Sequence, residues 1–335
     1  MSTMKYTTAT VLLWSPLAGS AWAQEAEAAV QPATANITLA GQDVPVQAGG
    51  LYARYRSNPP LAVIAAEAPA LDLSWFRTLK KERVEIGFES WSPNFYYQSS
   101  RITAVYTADI TRLRELMPAA VLKAVQPLHI WPGRGVVALT AYSYRYCDND
   151  SYKEVALSVV TSKPGGANLG PFSLWAQSWS GDYWGYVLKL PVDTELARVR
   201  GVVGYNLPKW LTRIELAESE QAMTFSLADS ETGKPDVVFE GRKLMGLSRK
   251  VAMARNSFTN LDREGRLTYG YADSRLLSHA SSDQADVAKL TLGEGGLSAY
   301  IRSLKLGKLL KYEYVPEFQS ALYAPAPLAA LTVGQ

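Results

Sequence analysis

In the run Gly201-Val202-Val203-Gly204-Tyr205-Asn206-Leu207-Pro208-Lys209-Trp210-Leu211, one lysine sits among apolar neighbours behind a glycine-rich approach and a proline. An amine so placed has two uses. It can snorkel from a loop, as lysines ordinarily do, or it can condense with a carbonyl as a Schiff-base nucleophile. Only about 1 in 2,500 ordinary lysine amines is neutral at pH 7, so nucleophilic use requires roughly 4–5 kcal/mol of help, a size that burial among Trp, Leu and Val can supply. The second segment of interest is Ser151-Tyr152-Lys153-Glu154, which leads into Val155-Ala156-Leu157-Ser158-Val159-Val160. Strand alternation puts Tyr152, Glu154, Ala156, Ser158 and Val160 on one face. That face reads either as the wall of a polar pocket or as a carboxylate at a solvent-washed strand mouth, and the residues alone leave both open.

Other chemistries find little material. The 335 residues include two His and one Cys, too few for the usual zinc ligand sets, so metal chemistry would rest on carboxylates alone; no metal or other cofactor is expected. No G-x-S-x-G elbow, Walker loop or G-x-G-x-x-G turn occurs. His129 lies in the apolar Pro127–Trp131 stretch and reads as a packed residue, while His279 lies in the Ser-rich Ser278–Ser282 stretch and reads as exposed. Cys147 stands beside Asp148 with no cation to favour a thiolate, and reads as a passive thiol. With 34 basic against 31 acidic residues the net charge is +3, which argues against a protein built to grip nucleic acid.

The elements that must position Lys209 and Glu154 read mostly as strands. Ile102–Tyr106, Val136–Tyr144, Val155–Thr161, Tyr183–Leu190, Met223–Leu227 and Val237–Phe239 are β-branched or aromatic and bounded by turn residues. Abundant rings (19 Tyr, 9 Trp, 8 Phe) suit pleated surfaces. Asp109 is set to cap a short helix with Leu113, Leu116 and Met117 on one face, stopped by Pro118. Ser303–Leu310 reads as a basic amphipathic surface helix. The fold class is mainly β, a barrel or folded-over sheet with a few peripheral helices.

At the N-terminus, Lys5, the apolar stretch Ala9–Trp22 and the Ala21-Trp22-Ala23 site resemble a signal peptide over residues 1–23, cleaved before Gln24. The expected location is periplasmic or secreted. Residues 24–70 are rich in Ala, Pro and Gly and read as an irregular extension with a hairpin at Ile37–Val46. Residues 71–325 read as a single domain and 326–335 as a tail. No apolar run reaches the roughly 18 residues a membrane span requires, so no stable insertion is expected once the leader is removed.

Four landmarks, in order, resemble the acetoacetate decarboxylase family over about Pro93–Pro325. They are Ala104-Val105-Tyr106-Thr107-Ala108-Asp109 with Leu113 and the Met117-Pro118 stop, then Val136 to Glu154 ending in Tyr-x-Glu, then Gly181-Asp182-Tyr183, then Gly201 to Pro208-Lys209. The resemblance implies an antiparallel β-barrel-like cone around a Schiff-base lysine, and that enzyme is also the general example of a lysine activated by a neighbouring cation. It implies Lys209 as the nucleophile, Glu154 as the pocket glutamate that handles protons, and Tyr152 as pocket wall and hydrogen-bond donor. Departures accompany it. The place of a second lysine holds Trp210, which becomes a candidate substrate contact; two family glutamates fall at Leu139 and Val203. The arginine that grips the substrate carboxylate falls at Ser99, with Arg101 two residues on along the same face as its substitute.

The pocket these departures imply is less polar than the archetype's. The leading expectation is a Schiff-base lyase that decarboxylates a β-keto acid larger or more apolar than acetoacetate. Aldol or dehydration chemistry would use the same iminium. The alternative is a non-catalytic exported binding protein with an aromatic cavity, in which Trp175, Trp179 and Trp184 read as a Trp-rich strand pair. The expected partner is a small keto acid or other carbonyl compound. The family's archetype forms large oligomers, so a homo-oligomer is compatible, though no interface can be read from the chain.

Overall fold

The computed structural model describes residues 33–332, which lie in one compact unit; the expected leader lies outside them. The chain opens with an antiparallel hairpin, β1 (Thr34–Leu39) and β2 (Gln42–Gln47), followed by α1 (Leu51–Tyr55) and α2 (Leu61–Glu67). The hairpin was expected at this place, but the surrounding extension is not irregular. Ile37, Val44, Val46 and Tyr52 are buried against Phe88, Leu196 and Val199, while Leu51 and Ile64 join Phe76, Phe95 and Tyr97. Small-residue composition hid these contacts, because short helices held by packing carry little signal of their own.

A second hairpin, β3 (Glu82–Glu85) and β4 (Glu89–Ser92), leads into β5 (Asn94–Asp109), then α3 (Ile110–Leu116) and α4 (Ala119–Ala124). Asp109 caps α3 as its position predicts, its carboxylate accepting from Thr111 N at 3.0 Å and Arg112 N at 3.1 Å. There follow β6 (Arg134–Cys147), β7 (Tyr152–Val160), α5 (Pro171–Ser180), β8 (Asp182–Val192), α6 (Glu195–Val199) and the short β9 (Lys209–Leu211). The remaining elements are β10 (Ile214–Glu218), β11 (Ala222–Ala228), β12 (Pro235–Arg242), β13 (Ala252–Leu261), β14 (Leu267–Ser282), β15 (Ala288–Leu292), α7 (Gly296–Ser303) and β16 (Leu309–Pro327).

Seven strands close a barrel in the order β13-β14-β16-β5-β6-β7-β8, with β8 pairing back to β13. The pairing is antiparallel except at the seam: β13 joins one end of β8 in parallel, and β9 joins the other end in parallel. A second sheet, β10-β11-β12-β15, covers one outer side. Alternation sorts each barrel strand into two faces. Outward, Ile102, Ala141, Val155 and Leu157 pack with Met223, Phe225 and Phe239 in the largest core. Inward, Ala156, Val187, Phe258 and Leu322 come together from four strands.

Two expectations are corrected here. Residues 303–310 are not a helix: α7 stops at Ser303, Lys305 takes a left-handed backbone (φ 48°), and Leu309 begins β16. Gly307 allows that turn to press against Arg134 and Thr107, where a Cβ would meet the guanidinium at 2.5 Å. Trp175 and Trp179 lie on α5, 63% and 81% exposed, with only Trp184 buried in β8. A helix starting at Pro171 and closed by Gly181 in the left-handed region replaces the expected strand.

Candidate active site

Lys209 owes its position to the connection between β8 and β9. Thr194 caps α6 through a bond from Ala197 N, and the chain then widens into a π-turn at Arg200–Gly204. Asn206 takes a left-handed backbone (φ 55°) and Leu207 N returns to Gly201 O at 3.0 Å. Pro208 then hands the chain to β9, with Lys209 opposite Leu190 in parallel register. Gly201 is required by this path, since a Cβ there would overlap the Cδ and Cε of Lys209. The glycine-rich approach seen in the sequence is the bed of the lysine's stem.

On the barrel wall, register builds a grid. Arg101 of β5 faces Tyr142 of β6, which faces Glu154 of β7, and Glu154 faces Val192 of β8. One step along, Ser99 faces Tyr144, which faces Tyr152. Paired residues share a face, so all seven point inward together. Lys209 Nζ donates to Glu154 Oε2 at 2.5 Å, and the two side chains are 8% and 9% exposed. Tyr144 OH reaches Glu154 Oε1 at 3.4 Å, and Lys209 Nζ stands 5.5 Å from the centre of the Tyr152 ring. Behind these, the hydroxyls of Tyr96 and Tyr152 are 3.1 Å apart.

Burial pushes the phenols of Tyr96, Tyr144 and Tyr152 well above their usual range, and the Glu154 carboxylate adds to each. They are neutral hydrogen-bonding groups across the physiological range. Arg101 is 6% exposed and ion-paired to Glu313 of β16 at 2.5 Å. Burial pushes Glu313 upward, but Arg101 and then Lys311 outweigh it, and the carboxyl is held below its ordinary value. Arg101 Nε and Ser99 Oγ are both buried without a protein partner.

A second buried cation stands next to Gly201. Arg200, 2% exposed, donates to Tyr52 OH (3.3 Å), Ser90 Oγ (3.2 Å) and Asn94 Oδ1 (3.3 Å), all neutral acceptors. The connection that carries Lys209 thus includes a positive charge, though not at the place where the sequence holds Trp210.

Of the expected residues, Lys209, Glu154 and Tyr152 meet, and Arg101 lies in the same inward row. Trp210 does not join them: the next residue of β9 points to the other face, where Lys189 Nζ lies 5.8 Å from its ring. His129 is exposed rather than packed, whereas His279 lies within β14, half-buried, beside Glu313 rather than in an exposed loop. Cys147 is buried with its thiol pushed well up by burial. Tyr142, Tyr144 and Glu313 were missed. The Tyr-x-Tyr repeat at 142–144 opposite Tyr152-x-Glu154 was a signal for the first two. Glu313 had none, since β16 meets β5 only through the tertiary fold.

No protein-family model matches the sequence, and no curated protein matches it. Solved structures do match. Acetoacetate decarboxylase from Legionella pneumophila superposes with a TM-score of 0.51 at 13% identity, over 70% of this chain and 87% of that one. The fold is that of acetoacetate decarboxylase. The enduracididine biosynthesis enzyme MppR, solved with pyruvate, gives 0.49 at 13% identity over 71% and 91%. An acetoacetate decarboxylase-like enzyme from Sphingomonas wittichii gives 0.41 at 15% over 70% and 91%. At these identities the likeness is one of architecture.

Proposed function

We propose that this protein is a Schiff-base lyase of acetoacetate decarboxylase-like type, with Lys209 as nucleophile and a β-keto acid as substrate. The observation that carries the reading is the 2.5 Å contact between Lys209 Nζ and Glu154 Oε2, both inside the barrel and under one-tenth exposed. A buried amine and carboxylate in direct hydrogen bond can exchange one proton without calling on water. Transfer to Glu154 leaves a neutral amine to attack the substrate ketone. Loss of water gives the iminium.

Decarboxylation then breaks the carbon–carbon bond, the electron pair flowing into the iminium to form an enamine as carbon dioxide leaves. Glu154 has by then given the amine's proton to the departing hydroxyl, so the enamine carbon takes up a proton drawn from solvent and relayed by Glu154, and water hydrolyses the new iminium to release ketone and amine. Tyr144 and Tyr152 stay neutral and keep the carboxylate and the lysine oriented. Arg101 Nε and Ser99 Oγ, adjacent on the inner face and without partners, suit the two oxygens of the substrate carboxylate. A cleft of about 360 Å³ shares Leu207 and Pro208 with the Lys209 connection and Val187 with the inner face.

A second reading, aldol or dehydration chemistry on an uncharged carbonyl, has its own support. Glu313 already neutralises Arg101 at 2.5 Å, which lessens its pull on a substrate carboxylate. One experiment tests the proposal and separates the readings: borohydride reduction in the presence of acetoacetate, longer β-keto acids and neutral ketones or aldehydes, with the adduct mapped by peptide mass. A reduced adduct on Lys209 with keto acids is expected. Trapping confined to neutral carbonyls moves the substrate to the second reading, and no adduct with any of them overturns the Schiff base and favours a binding protein.

A further inference from the structure

Helix α5 is built inside out. Its one buried side chain is Gln177, which is clamped to the barrel by Nε2 donating to Thr161 O at 2.8 Å and Oε1 accepting from Trp184 N at 3.1 Å. Leu174 packs against Leu128, Ile130 and Val136, but the helix's three other large apolar side chains face outward: Phe172 is 74% exposed, Trp175 63% and Trp179 81%, with Leu169 just before the helix at 65%. Trp175 and Trp179 stack on each other at 5.8 Å. From Pro164 to Gly181 no residue carries a charge. An exposed aromatic patch without charges is unusual on a soluble surface and marks a contact site.

The neighbouring segment says what contact. Gly181, which ends α5, lies against Met253 O and its own carbonyl accepts from Arg255 N at 2.7 Å. The segment from Gly241 to Arg255 holds five basic residues and no acidic one. Three of these are paired, Arg242 with Asp286, Lys243 with Glu218 and Arg255 with Asp273. Arg249 and Lys250 are exposed and have no ion pair among the described residues. They stand between exposed Met245 and Leu247 on one side and Val251 and Met253 on the other.

We propose that α5 and the 245–253 loop form a docking surface for an anionic phospholipid bilayer. Aromatic and aliphatic side chains enter the headgroup boundary while Arg249 and Lys250 meet the lipid charge, the division of labour of surface-lying membrane elements. Charge complementarity selects this occupant over a second copy of the chain, because a two-fold contact through the same patch would bring Arg249 and Lys250 of both copies together. This is docking, not spanning: among the described residues no helix is long and apolar enough to cross a membrane.

The test is flotation of the full chain with phosphatidylcholine vesicles and with vesicles containing one-quarter phosphatidylglycerol. The wild type is expected to float with the anionic vesicles and less with the neutral ones. W175S/W179S should lower the partition coefficient more than about tenfold, and R249Q/K250Q about fivefold per charge on anionic vesicles only. These four side chains are exposed, so thermal unfolding midpoints should stay at the wild-type value. Any apolar sequence within residues 1–32 is common to all variants and cancels in the comparison. Equal flotation of wild type and both variants would overturn the proposal, as would a wild type that ignores both vesicles. So would a mass by light scattering that drops by half in W175S/W179S, which would give the patch to a second copy.

Discussion

Gly201→Ala isolates the positioning of Lys209 from its chemistry. The added methyl would overlap Cδ and Cε of the lysine stem, at separations real Cβ atoms do not show. Gly201 does not lie in the left-handed region, so alanine brings no backbone strain and acts through that overlap alone. The stem must move by about 1 Å to restore van der Waals contact, which can stretch the 2.5 Å bond from Nζ to Glu154 Oε2 to the edge of hydrogen-bond reach. A displacement of that size costs on the order of 10²-fold in rate at a reacting centre. Overpacking itself costs about 1–3 kcal/mol of stability, a loss of several degrees in Tm that leaves the protein folded at 25 °C. The assay is the initial rate of borohydride trapping at Lys209 with a saturating keto acid, read beside a thermal melt. A folded Gly201→Ala protein that traps at the wild-type rate would refute the view that the glycine bed holds the lysine in place.

Other outcomes follow from the same geometry. Lys209→Ala should abolish both trapping and turnover, whereas Glu154→Gln should slow trapping and lower turnover about 10²–10⁴-fold, because both the first proton transfer and the protonation of the enamine carbon lose their group; wild-type trapping and turnover in Glu154→Gln would mean Glu154 only builds the pocket. Glu313 has a folded-state pKa below its unfolded value, so the Arg101 pair adds stability that is present above about pH 4.5 and is lost as pH falls through the depressed value. The stability gap between wild type and Arg101→Met, from urea unfolding, should therefore be widest near neutrality and shrink in acid; a gap independent of pH would contradict this. Cys147, buried and donating to Asp150 O at 2.8 Å, should resist alkylation in the native protein and react only on unfolding, as counted by iodoacetamide labelling with and without urea.

Alternation, caps and turns are legible along the chain without any knowledge of the fold. Tyr152 and Glu154 had to share a strand face because the side-chain period is two. Asp109 had to start a helix that Pro118 stops, and Gly201 to Pro208 had to be an irregular lead into Lys209. The residues themselves leave open the contact of Lys209 with Glu154, 55 positions apart; the resemblance implies only that both belong to one pocket. What the sequence could not determine was how distant strands close on one another. Glu313 neutralises Arg101 only because β16 lies beside β5 in the barrel, and Trp210 turns away from the pocket only because β9 docks on the edge of β8 with Lys209 inward. Helix α5 read as strand for the same reason: its aromatic residues follow β propensity, and the buried hydrogen bonds of Gln177 that hold it as a helix come from Thr161 and Trp184, groups that only the folded barrel brings within reach. Local rules act through neighbours along the chain, while charge pairing and exposure depend on neighbours in space.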